Sequence, residues 1–432
     1  MEVYDILVLV ISFIVLLSIG VPISFSIGIS SLLTMMLSIS TVPSLTTVAQ
    51  RMATGIDSFA LLAIPFFIFA GQLMNSGGIA RRLIDFAKVL VGKLPGGLAF
   101  VNILAAMFFG AISGSAVAAA SAIGGVMTPI MEKEGYDKSF SAAVNITSAT
   151  TGMIIPPSNI LIVYSLASGG VSIAALFLAG YVPGILLGLS LMLVSYVYAK
   201  KHNYKANFEF SLSDAVKKFF DALPSLLLIF IVIGGIVAGY FTATEASAIA
   251  VLYAFVLSVF VYKEIKFKDL PDILLSSSAT TAIVMLLVGT SMAMSWVMAY
   301  ENIPQNVAAA LLALSDNKIV ILIIINIILL FIGTFMDMTP AVLIFTPIFL
   351  PVVVQLGVDP IHFGIMMVMN LSVGLCTPPV GSVLFVGCSV ANLPITKVIK
   401  PLLPMFGAMV VALLLVTYVE ELSLFVPRLF GY

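Results

Sequence analysis

Glycine, proline and hydroxyl-bearing residues form two matching sets in this chain, each centred on a Gly-x-x-x-Pro-Pro motif. The first motif begins at Gly152 and the second at Gly374, 222 residues later, and the same offset relates Asp137 to Asp359. Glycine frees the backbone and proline restricts it, so their repetition at one spacing indicates an internal duplication. Each motif lies within a long apolar segment, where the prolines must interrupt a helix. A pair of broken apolar helices at corresponding positions of two halves is typical of a transporter's binding site.

Two further polar interruptions divide apolar stretches, one in each half. They are Gly110–Ser115 and Gly333–Pro340. The ends of a broken helix expose carbonyl oxygens and amide groups, which suit a small cation and an anion respectively. At membrane depth, such backbone is tolerated only where protein or a water-filled cavity satisfies it. We therefore expect each half to build one cation site from one kink and one broken helix.

Neutral oxygen atoms dominate both candidate cation sites, which favours sodium over protons as the coupling ion. A proton-coupled site needs a titrating side chain, and the first-half set contains none. For any single serine, helix packing in lipid is a sufficient explanation, but it accounts poorly for the whole duplicated set. We expect backbone carbonyls to supply most ligands. The first site is predicted from Ser113, Gly114, Ser148, Thr151 and Gly152, and the second from Gly333, Met338, Thr339, Gly374 and Thr377.

Asp337 is a carboxylate at the second kink, within an otherwise apolar stretch. An ionisable side chain inside a membrane is costly and indicates a functional site, unless it lies at the boundary and reaches the headgroups. Ser115 occupies the corresponding place in the first half. Ser158 follows the first helix break, where amide groups can meet a substrate carboxylate. We predict that Ser115, Ser158 and Asp337 surround a substrate near the bilayer midplane.

The composition is that of an integral membrane protein. Of the 432 residues, 61% are hydrophobic and 9% are charged, whereas soluble domains carry roughly 25% charged residues. The net charge of -1 provides no global basic surface for nucleic acid. The sequence contains no phosphate-binding Gly-x-x-x-x-Gly-Lys-Ser/Thr loop, so we do not expect the chain to hydrolyse ATP. Cys376 and Cys388 are expected to be core residues, and residues 5–19 are expected to be a retained helix, because no basic segment precedes them.

Runs of about 20 apolar residues predict the membrane crossings. The two kinked stretches, 96–131 and 318–356, fit either two crossings or one re-entrant hairpin each, because both return the chain to its starting side. Full crossings are expected near residues 5–20, 22–39, 60–76, 140–166 and 180–199, and near 223–240, 244–262, 278–299, 361–391 and 401–419.

Basic side chains are unevenly distributed between the two sides that these crossings create. Sixteen lie on one side and only Arg51, Lys318 and Arg428 on the other, so the richer side is predicted to be cytoplasmic. An odd number of crossings per half inserts the second half upside down. We expect inverted repeats at 1–200 and 223–432, joined by a cytoplasmic linker at 201–222, with both termini outside.

Two amphipathic segments, 77–93 and 302–315, occupy matching places in the halves. They are expected to lie in the interface plane, either as ordinary connecting helices or as arms that link a moving part to a fixed frame. Glu245 lies at a turn between two helices, where a helix cap or a subunit contact is more plausible than a site.

Seven segments spread along the chain form a recognisable set, which consists of Leu62–Gly71, Gly77–Leu83, Gly110–Ala118, Ile155–Ser158, Thr244–Ala246, Asp359–Gly364 and Thr377–Gly381. Together these segments resemble the large membrane subunit of the tripartite ATP-independent periplasmic (TRAP) transporters. The resemblance extends from about residue 5 to residue 420, and the spread of the motifs makes it specific. One departure is visible after Ser115, where many relatives carry an acidic residue and this chain has Ala119 and Ala120.

The resemblance implies sodium-coupled uptake of an organic acid across a bacterial inner membrane. It also implies two partners, a small four-helix membrane subunit on a separate polypeptide and a soluble periplasmic binding protein. Family substrates are mostly C4-dicarboxylates, sialic acids and other carboxylated sugars or keto acids; the first helix break favours a sialic or sugar acid slightly. The implied fold is an all-α integral membrane protein with two inverted-topology repeats. Each repeat would contain a re-entrant helical hairpin and a broken transmembrane helix, as in elevator-type ion transporters.

Two other functions remain open at this point. The first is a stand-alone sodium–dicarboxylate symporter of similar inverted-repeat build. The second is an intramembrane hydrolase that uses Ser113 or Ser115, although a Ser-His dyad would require a histidine on a neighbouring helix at membrane depth. Neither His202 nor His362 is expected there. An enzyme is therefore the least favoured of the three interpretations.

Overall fold

A computed structural model describes residues 2–204, 212–315, 317–378 and 380–432. Within these residues the regular elements are helices, and eight of the described helices are long and apolar enough to cross a membrane. The first half contains α1 (Glu2–Ser18), α2 (Ile23–Ser38), α3 (Thr41–Ile56), α4 (Ala63–Ser76), α5 (Ile79–Val91), α6 (Gly97–Ser113), α7 (Ala116–Lys133), α8 (Lys138–Ala149), α9 (Asn159–Ala167) and α10 (Ile173–Lys201).

The second half follows the same order, except that its described residues form no separate helix in the place of α3 and end with one additional helix. It contains α11 (Leu212–Val237), α12 (Ala243–Val256), α13 (Leu270–Tyr300), α14 (Ile303–Leu314), α15 (Lys318–Phe335), α16 (Met338–Gln355), α17 (Pro360–Gly374), α18 (Ser382–Val390), α19 (Ile395–Tyr418) and α20 (Glu421–Leu429). Helices α6–α7 and α15–α16 are the two predicted hairpins, and α8–α9 and α17–α18 are the two predicted broken helices.

The turn of the first hairpin follows directly from its sequence. Gly114 ends α6 with a φ of +63°, a left-handed conformation that glycine adopts without steric cost. Ser115 then begins α7 as its N-cap, and its Oγ accepts a hydrogen bond from the Ala118 amide at 3.2 Å. Glycine followed by a capping serine therefore reverses the chain within two residues.

The halves are interleaved rather than placed side by side. Helix α2 packs against α13 of the second half, and α12 packs against α4 of the first half. The same exchange occurs deeper in the molecule, where α9 packs against α16 and α18 packs against α7. Each repeat thus covers part of the surface of the other, and together they form the inverted-repeat fold expected from the sequence.

A glycine-to-glycine contact joins hairpin and broken helix within each repeat. A Cβ atom added to Gly110 would lie 2.8 Å from the Cα of Gly152, and one added to Gly374 would lie 2.6 Å from the Cα of Gly333. Real side chains do not approach so closely, so only glycine fits at these positions. The repeated glycines of the sequence are therefore explained by backbone packing at the two helix breaks.

A buried histidine links α17 to the last two helices, α19 and α20. His362 lies fully buried, and its two ring nitrogens contact the Ser423 hydroxyl and the Thr417 carbonyl, each at 3.2 Å. Beside it, Lys318 pairs with Glu420, and its ammonium group lowers the pKa of that carboxyl. These polar contacts hold the start of the second hairpin against α19 and α20.

One expectation needs correction, and two helices were not predicted. The predicted linker at 201–222 is shorter, because α11 begins at Leu212 and an ion pair between Asp214 and Lys218, 3.1 Å apart, supports its first turns. Helix α3 was not predicted because its polar side chains leave no run of about 20 apolar residues. Helix α20 also went unpredicted, since it is short and polar on one side. Residues 205–211 of the linker and Pro379 of the second motif lie outside the described residues.

The amphipathic segments 77–93 and 302–315 contain the helices α5 and α14, and their place in the interface plane stays a prediction. Two smaller expectations are confirmed. Glu245 is a helix cap: its carboxylate accepts the Thr242 amide at 2.8 Å, and the Thr242 hydroxyl accepts the Glu245 amide. Both cysteines are buried, as core residues should be.

The glycine contacts predict a specific sensitivity to side-chain volume. Gly152→Val and Gly374→Val should each push hairpin and broken helix apart, at a cost of about 1–3 kcal/mol for an overpacked core. Thermal unfolding of the purified proteins should therefore begin several degrees earlier than in the wild type. Gly125→Val is the matched control, because open space surrounds Gly125 on α7. A Gly374→Val protein that unfolds like the control would show that this contact does not constrain the fold.

Candidate functional site

One cavity lies where both hairpin turns and both helix breaks meet. Its volume is about 360 Å³. The first hairpin contributes 113–118 and the second contributes 337–339, while Met153 and Asn159 come from the first break and Leu375 from the second. Helices α4 and α13 close the sides. The cavity therefore brings together residues from both hairpin turns and from both helix breaks.

The position of the hairpin turns resolves the choice between crossings and hairpins. The turn residues Ser115 and Asp337 line the same cavity as residues from the middle of two broken helices. Turns between two full crossings would instead lie at the membrane surface. The α6–α7 and α15–α16 pairs are therefore re-entrant hairpins whose turns face each other inside the protein.

Asn159 lies beside the turn of the first hairpin in the wall of the cavity. A Cβ added to Gly114 would lie 2.8 Å from the Asn159 Nδ2 atom, so the asparagine amide rests against the hairpin turn. The Asn159 Oδ1 atom is buried and makes no hydrogen bond within the described residues. Burying an unpaired acceptor is costly, and a bound cation or ligand donor would satisfy it.

Asp337 provides the negative charge of the cavity. It is the N-cap residue of α16, but its side chain does not cap the helix and is exposed to the cavity. Among the described lining residues it is the one charged side chain, and no lysine, arginine or histidine faces it there. The positive end of α16 and any bound cation are therefore the local sources of compensating charge.

Ser158 lies elsewhere than predicted for a substrate contact. It is fully buried at the start of α9, and its hydroxyl donates to the Met153 carbonyl at 2.5 Å. It is not among the residues that line the cavity, whereas its neighbour Asn159 is. Ser158 closes the turn of the helix break, and Asn159 presents the side chain to the cavity.

The predicted cation-site residues of the first half surround the α6–α8 contact. Ser113 is buried at the end of α6, with its Oγ 3.4 Å from the Ser115 amide nitrogen. Thr151 donates to the Ser148 carbonyl at 2.6 Å, and Gly152 lies against Gly110. The hydroxyls of Ser113 and Thr151 are thus already hydrogen-bonded locally, so backbone carbonyls and the Asn159 side chain are the better candidates for ligands.

The second half shows a related arrangement. Thr377 donates to the Val373 carbonyl at 2.9 Å, and Gly374 lies against Gly333. Met338 is buried, with its sulfur 4.0 Å from the Ser372 hydroxyl, while Thr339 lines the cavity. A methionine side chain is a poor ligand for sodium, so any contribution from Met338 would come from its backbone.

Two asparagines of the hairpins, Asn102 and Asn326, were not predicted, and each links its hairpin to the broken helix of the same repeat. Asn102 on α6 accepts from the Ser148 hydroxyl at 3.2 Å, and Asn326 on α15 accepts from the Asn370 amide at 2.7 Å. Ser148 and Asn370 are 222 residues apart, so one hairpin-to-broken-helix link occurs in both repeats. The Asn370 Oδ1 atom is buried without a hydrogen bond among the described residues. Single asparagines in the apolar runs of α6 and α15 were the available signal.

The outer walls of the cavity add three polar side chains that the motifs did not indicate. Gln72 and Asn75 lie three residues apart near the end of α4, and Thr280 comes from α13. The spacing on α4 puts both amides on one helix face, which is the signal that could have identified them. These groups donate and accept hydrogen bonds without adding charge.

The histidines are engaged away from the cavity. His362 is buried between α17 and α19, and His202 stacks on Tyr198 at the end of α10, with ring centroids 4.1 Å apart. Neither is among the cavity's described lining residues. Ser113 and Ser115 therefore have no histidine beside them within the described chain, and the geometry gives no support to hydrolysis.

Comparison with known proteins agrees with this geometry. Residues 10–422 match the sequence model of the family described as "Tripartite ATP-independent periplasmic transporter, DctM component". YgiK of Salmonella typhimurium is 57% identical over 429 residues, which cover 99% of this chain and 98% of YgiK. The "C4-dicarboxylate TRAP transporter large permease protein DctM" of Rhodobacter capsulatus is 41% identical over 425 residues, covering 95% and 96% of the two chains.

A solved structure shares the fold at low sequence identity. The Alcanivorax borkumensis YdaH transporter, whose crystal structure is described as having an unusual topology, aligns with a TM-score of 0.65 and 14% identity over 89% of each chain. This likeness concerns the fold alone. The family match over nearly the whole length, together with relatives that are named as transporter permeases, shows that the chain belongs to the DctM component of the tripartite ATP-independent periplasmic transporters and is a membrane transport subunit rather than an enzyme.

Proposed function

We propose that this chain imports an organic acid together with sodium, after a periplasmic binding protein delivers the substrate. The observation that supports this most is the single cavity where two hairpin turns and two helix breaks converge. Transporters built from repeats place substrate and coupling ions at such junctions. A small four-helix membrane subunit would complete the assembly in a bacterial inner membrane, with both termini of this chain on the periplasmic side.

Sodium fits the surroundings of the two helix breaks better than a proton does as the coupling ion. Buried unpaired oxygens of Asn159 and Asn370 occur in both halves, next to the helix breaks. Sodium is a hard cation and prefers neutral or anionic oxygen ligands, as the hard cations calcium and magnesium do. Asp337 would then act in the second half by balancing the charge of a nearby sodium ion.

The charge of the cavity favours a substrate with one carboxylate and several hydroxyl groups. Asp337 would repel a second carboxylate, and the described lining offers no basic side chain to offset it. The amide-bearing Gln72, Asn75 and Asn159 instead suit hydroxyl groups, while the amino end of α7 or α9 can meet one carboxylate. A sialic or sugar acid satisfies this pattern, and a C4-dicarboxylate remains the alternative class.

The hairpins and broken helices would carry the substrate as one unit past a frame built from the other helices. This is an elevator mechanism, in which a site closes to one side of the membrane before it opens to the other. The two inverted hairpins would act as opposite gates. The frame would hold still because α2 and α12 are exchanged between the repeats.

A stand-alone sodium–dicarboxylate symporter is the competing proposal, and reconstitution distinguishes the two. Proteoliposomes containing this chain and the small subunit should take up substrate only when the binding protein is added. Uptake by the large subunit alone, at the same rate and without either partner, would favour the symporter.

A sodium gradient should drive this uptake, whereas a pH gradient alone should not. The physical reason is the predominance of neutral oxygen atoms at the helix breaks. The measurement is initial uptake into proteoliposomes with sodium outside, compared with potassium outside and an imposed proton gradient. Equal uptake under both gradients would contradict sodium coupling.

Removing the carboxylate of Asp337 should nearly abolish uptake. A charge-assisted hydrogen bond contributes about 1.5–3 kcal/mol, so Asp337→Ala should weaken substrate or sodium binding roughly tenfold to 150-fold. Asp272→Ala is the matched control, because Asp272 is exposed at the start of α13. Both variants should express and assemble with the small subunit. Wild-type uptake kinetics in Asp337→Ala would place this residue outside the site.

A further inference from the structure

We call α5 and α14, the helices of the two amphipathic segments, the first and the second arm. The turn that leads into the first arm is followed by a half-buried arginine with several partners. Helix α4 ends at Ser76, Gly78 adopts a φ of +70°, and α5 begins at Ile79. Arg82, in the first turn of α5, donates from Nη1 to the Gly78 carbonyl at 3.0 Å. Its side chain is 17% exposed, whereas its neighbour Arg81 is exposed to solvent. The two arginines of this motif therefore have different environments.

Arg82 connects this turn to the second half of the chain. Its Cζ atom lies 3.7 Å from the centroid of the Tyr262 ring, just after α12. Its nitrogens lie 3.6 Å from a Glu264 carboxylate oxygen and 3.7 Å from an Asp221 carboxylate oxygen on α11. A guanidinium that stacks on a ring while facing two carboxylates is held in one orientation, which a lysine does not reproduce.

The surrounding contacts are equally tight. Ser258 donates to the Leu73 carbonyl at 3.2 Å, and a Cβ on Gly77 would lie 2.7 Å from the Ser258 Cβ. Tyr262 is itself fixed, because its hydroxyl bonds to Ser225 at 3.0 Å and to the Asp221 carbonyl at 3.1 Å. The start of α5 thus rests on a rigid surface formed by α11 and the end of α12.

The second repeat has a counterpart of opposite charge. Helix α13 passes into the second arm, α14, through Glu301 and Asn302, which has a φ of +55°. Glu301 is buried and accepts a hydrogen bond at 2.8 Å from Ser38, the last residue of α2. The ends of α2 and α12 are related by the repeat, so each arm is attached to the second helix of the other half.

We propose that Arg82 is a positioning residue that clamps the start of the first arm to the frame while the hairpin moves. This proposal rests on the proposed transport function and extends it to the mechanics of the arm. Because the start of α5 is held in place, the backbone changes conformation at Gly92–Gly97, between α5 and α6, when the hairpin moves. Arg82 is not among the residues that line the cavity, so it acts on the rate of the conformational step.

Arg82→Gln should lower the maximal uptake rate by about tenfold while the half-saturating substrate and sodium concentrations change less than about threefold. Arg82→Lys, which keeps the charge, should recover part of the rate, and Arg81→Gln should match the wild type.

An unchanged maximal rate in Arg82→Gln would overturn the clamp. So would a loss confined to substrate affinity, because that would put Arg82 in the site. If Arg82→Gln does not insert into the membrane, the variants Tyr262→Leu and Glu264→Gln test the clamp instead. Wild-type maximal uptake rates in both of these variants would overturn the clamp.

Hydrogen exchange tests the clamp without any transport. Amides of 77–91 should exchange about tenfold faster in Arg82→Gln than in Arg81→Gln, with no change in the hairpins. Equal exchange in the two variants would contradict the proposal. This readout also separates the two proposals: absence of sodium-driven uptake in the wild type would reject the proposed function, while the exchange result would still decide the clamp.

Discussion

The rest of the structure depends on the contact between each helix break and the hairpin of its own repeat. A helix broken at membrane depth exposes backbone groups that lipid cannot satisfy. In both repeats the hairpin covers the break at a distance that only glycine allows, between Gly110 and Gly152 and between Gly333 and Gly374. Because the hairpin lies so close, its turn ends beside the break. The position of the cavity is therefore a consequence of how the breaks are shielded.

The repeats share this backbone arrangement and differ in the side chains that they place on it. Where the first repeat has Ser115 at the hairpin turn, the second has Asp337. Where the first links hairpin to broken helix through Ser148, the second uses Asn370 and leaves its Oδ1 unpaired. A symmetric scaffold thus encloses an asymmetric cavity, with its charge on one side and most of its amides on the other. Such a cavity orients a substrate whose two ends differ chemically.

The sequence was sufficient for features that depend on backbone chemistry and insufficient for those that depend on side-chain direction. The duplicated Gly-x-x-x-Pro-Pro motif located both helix breaks, because glycine and proline act through local geometry. It did not reveal that Ser158 turns back to the Met153 carbonyl while Asn159 faces the cavity. Adjacent residues at the start of a helix point in different directions, and the turn before α9 sets that choice. Arg82 was visible as a motif residue, but its partners are about 140 to 180 positions away in sequence.

The exchange of α2 and α12 between the repeats has a consequence for how the protein is made. Ribosomes deliver the first half to the membrane while the surfaces that will cover α2 and α4 have not yet been synthesised. Until α12 and α13 are synthesised, these helices lie in lipid without their partners, and the polar side chains of α4 that line the cavity are not covered by the second half. The first half can therefore complete its native packing only after the second half has been synthesised.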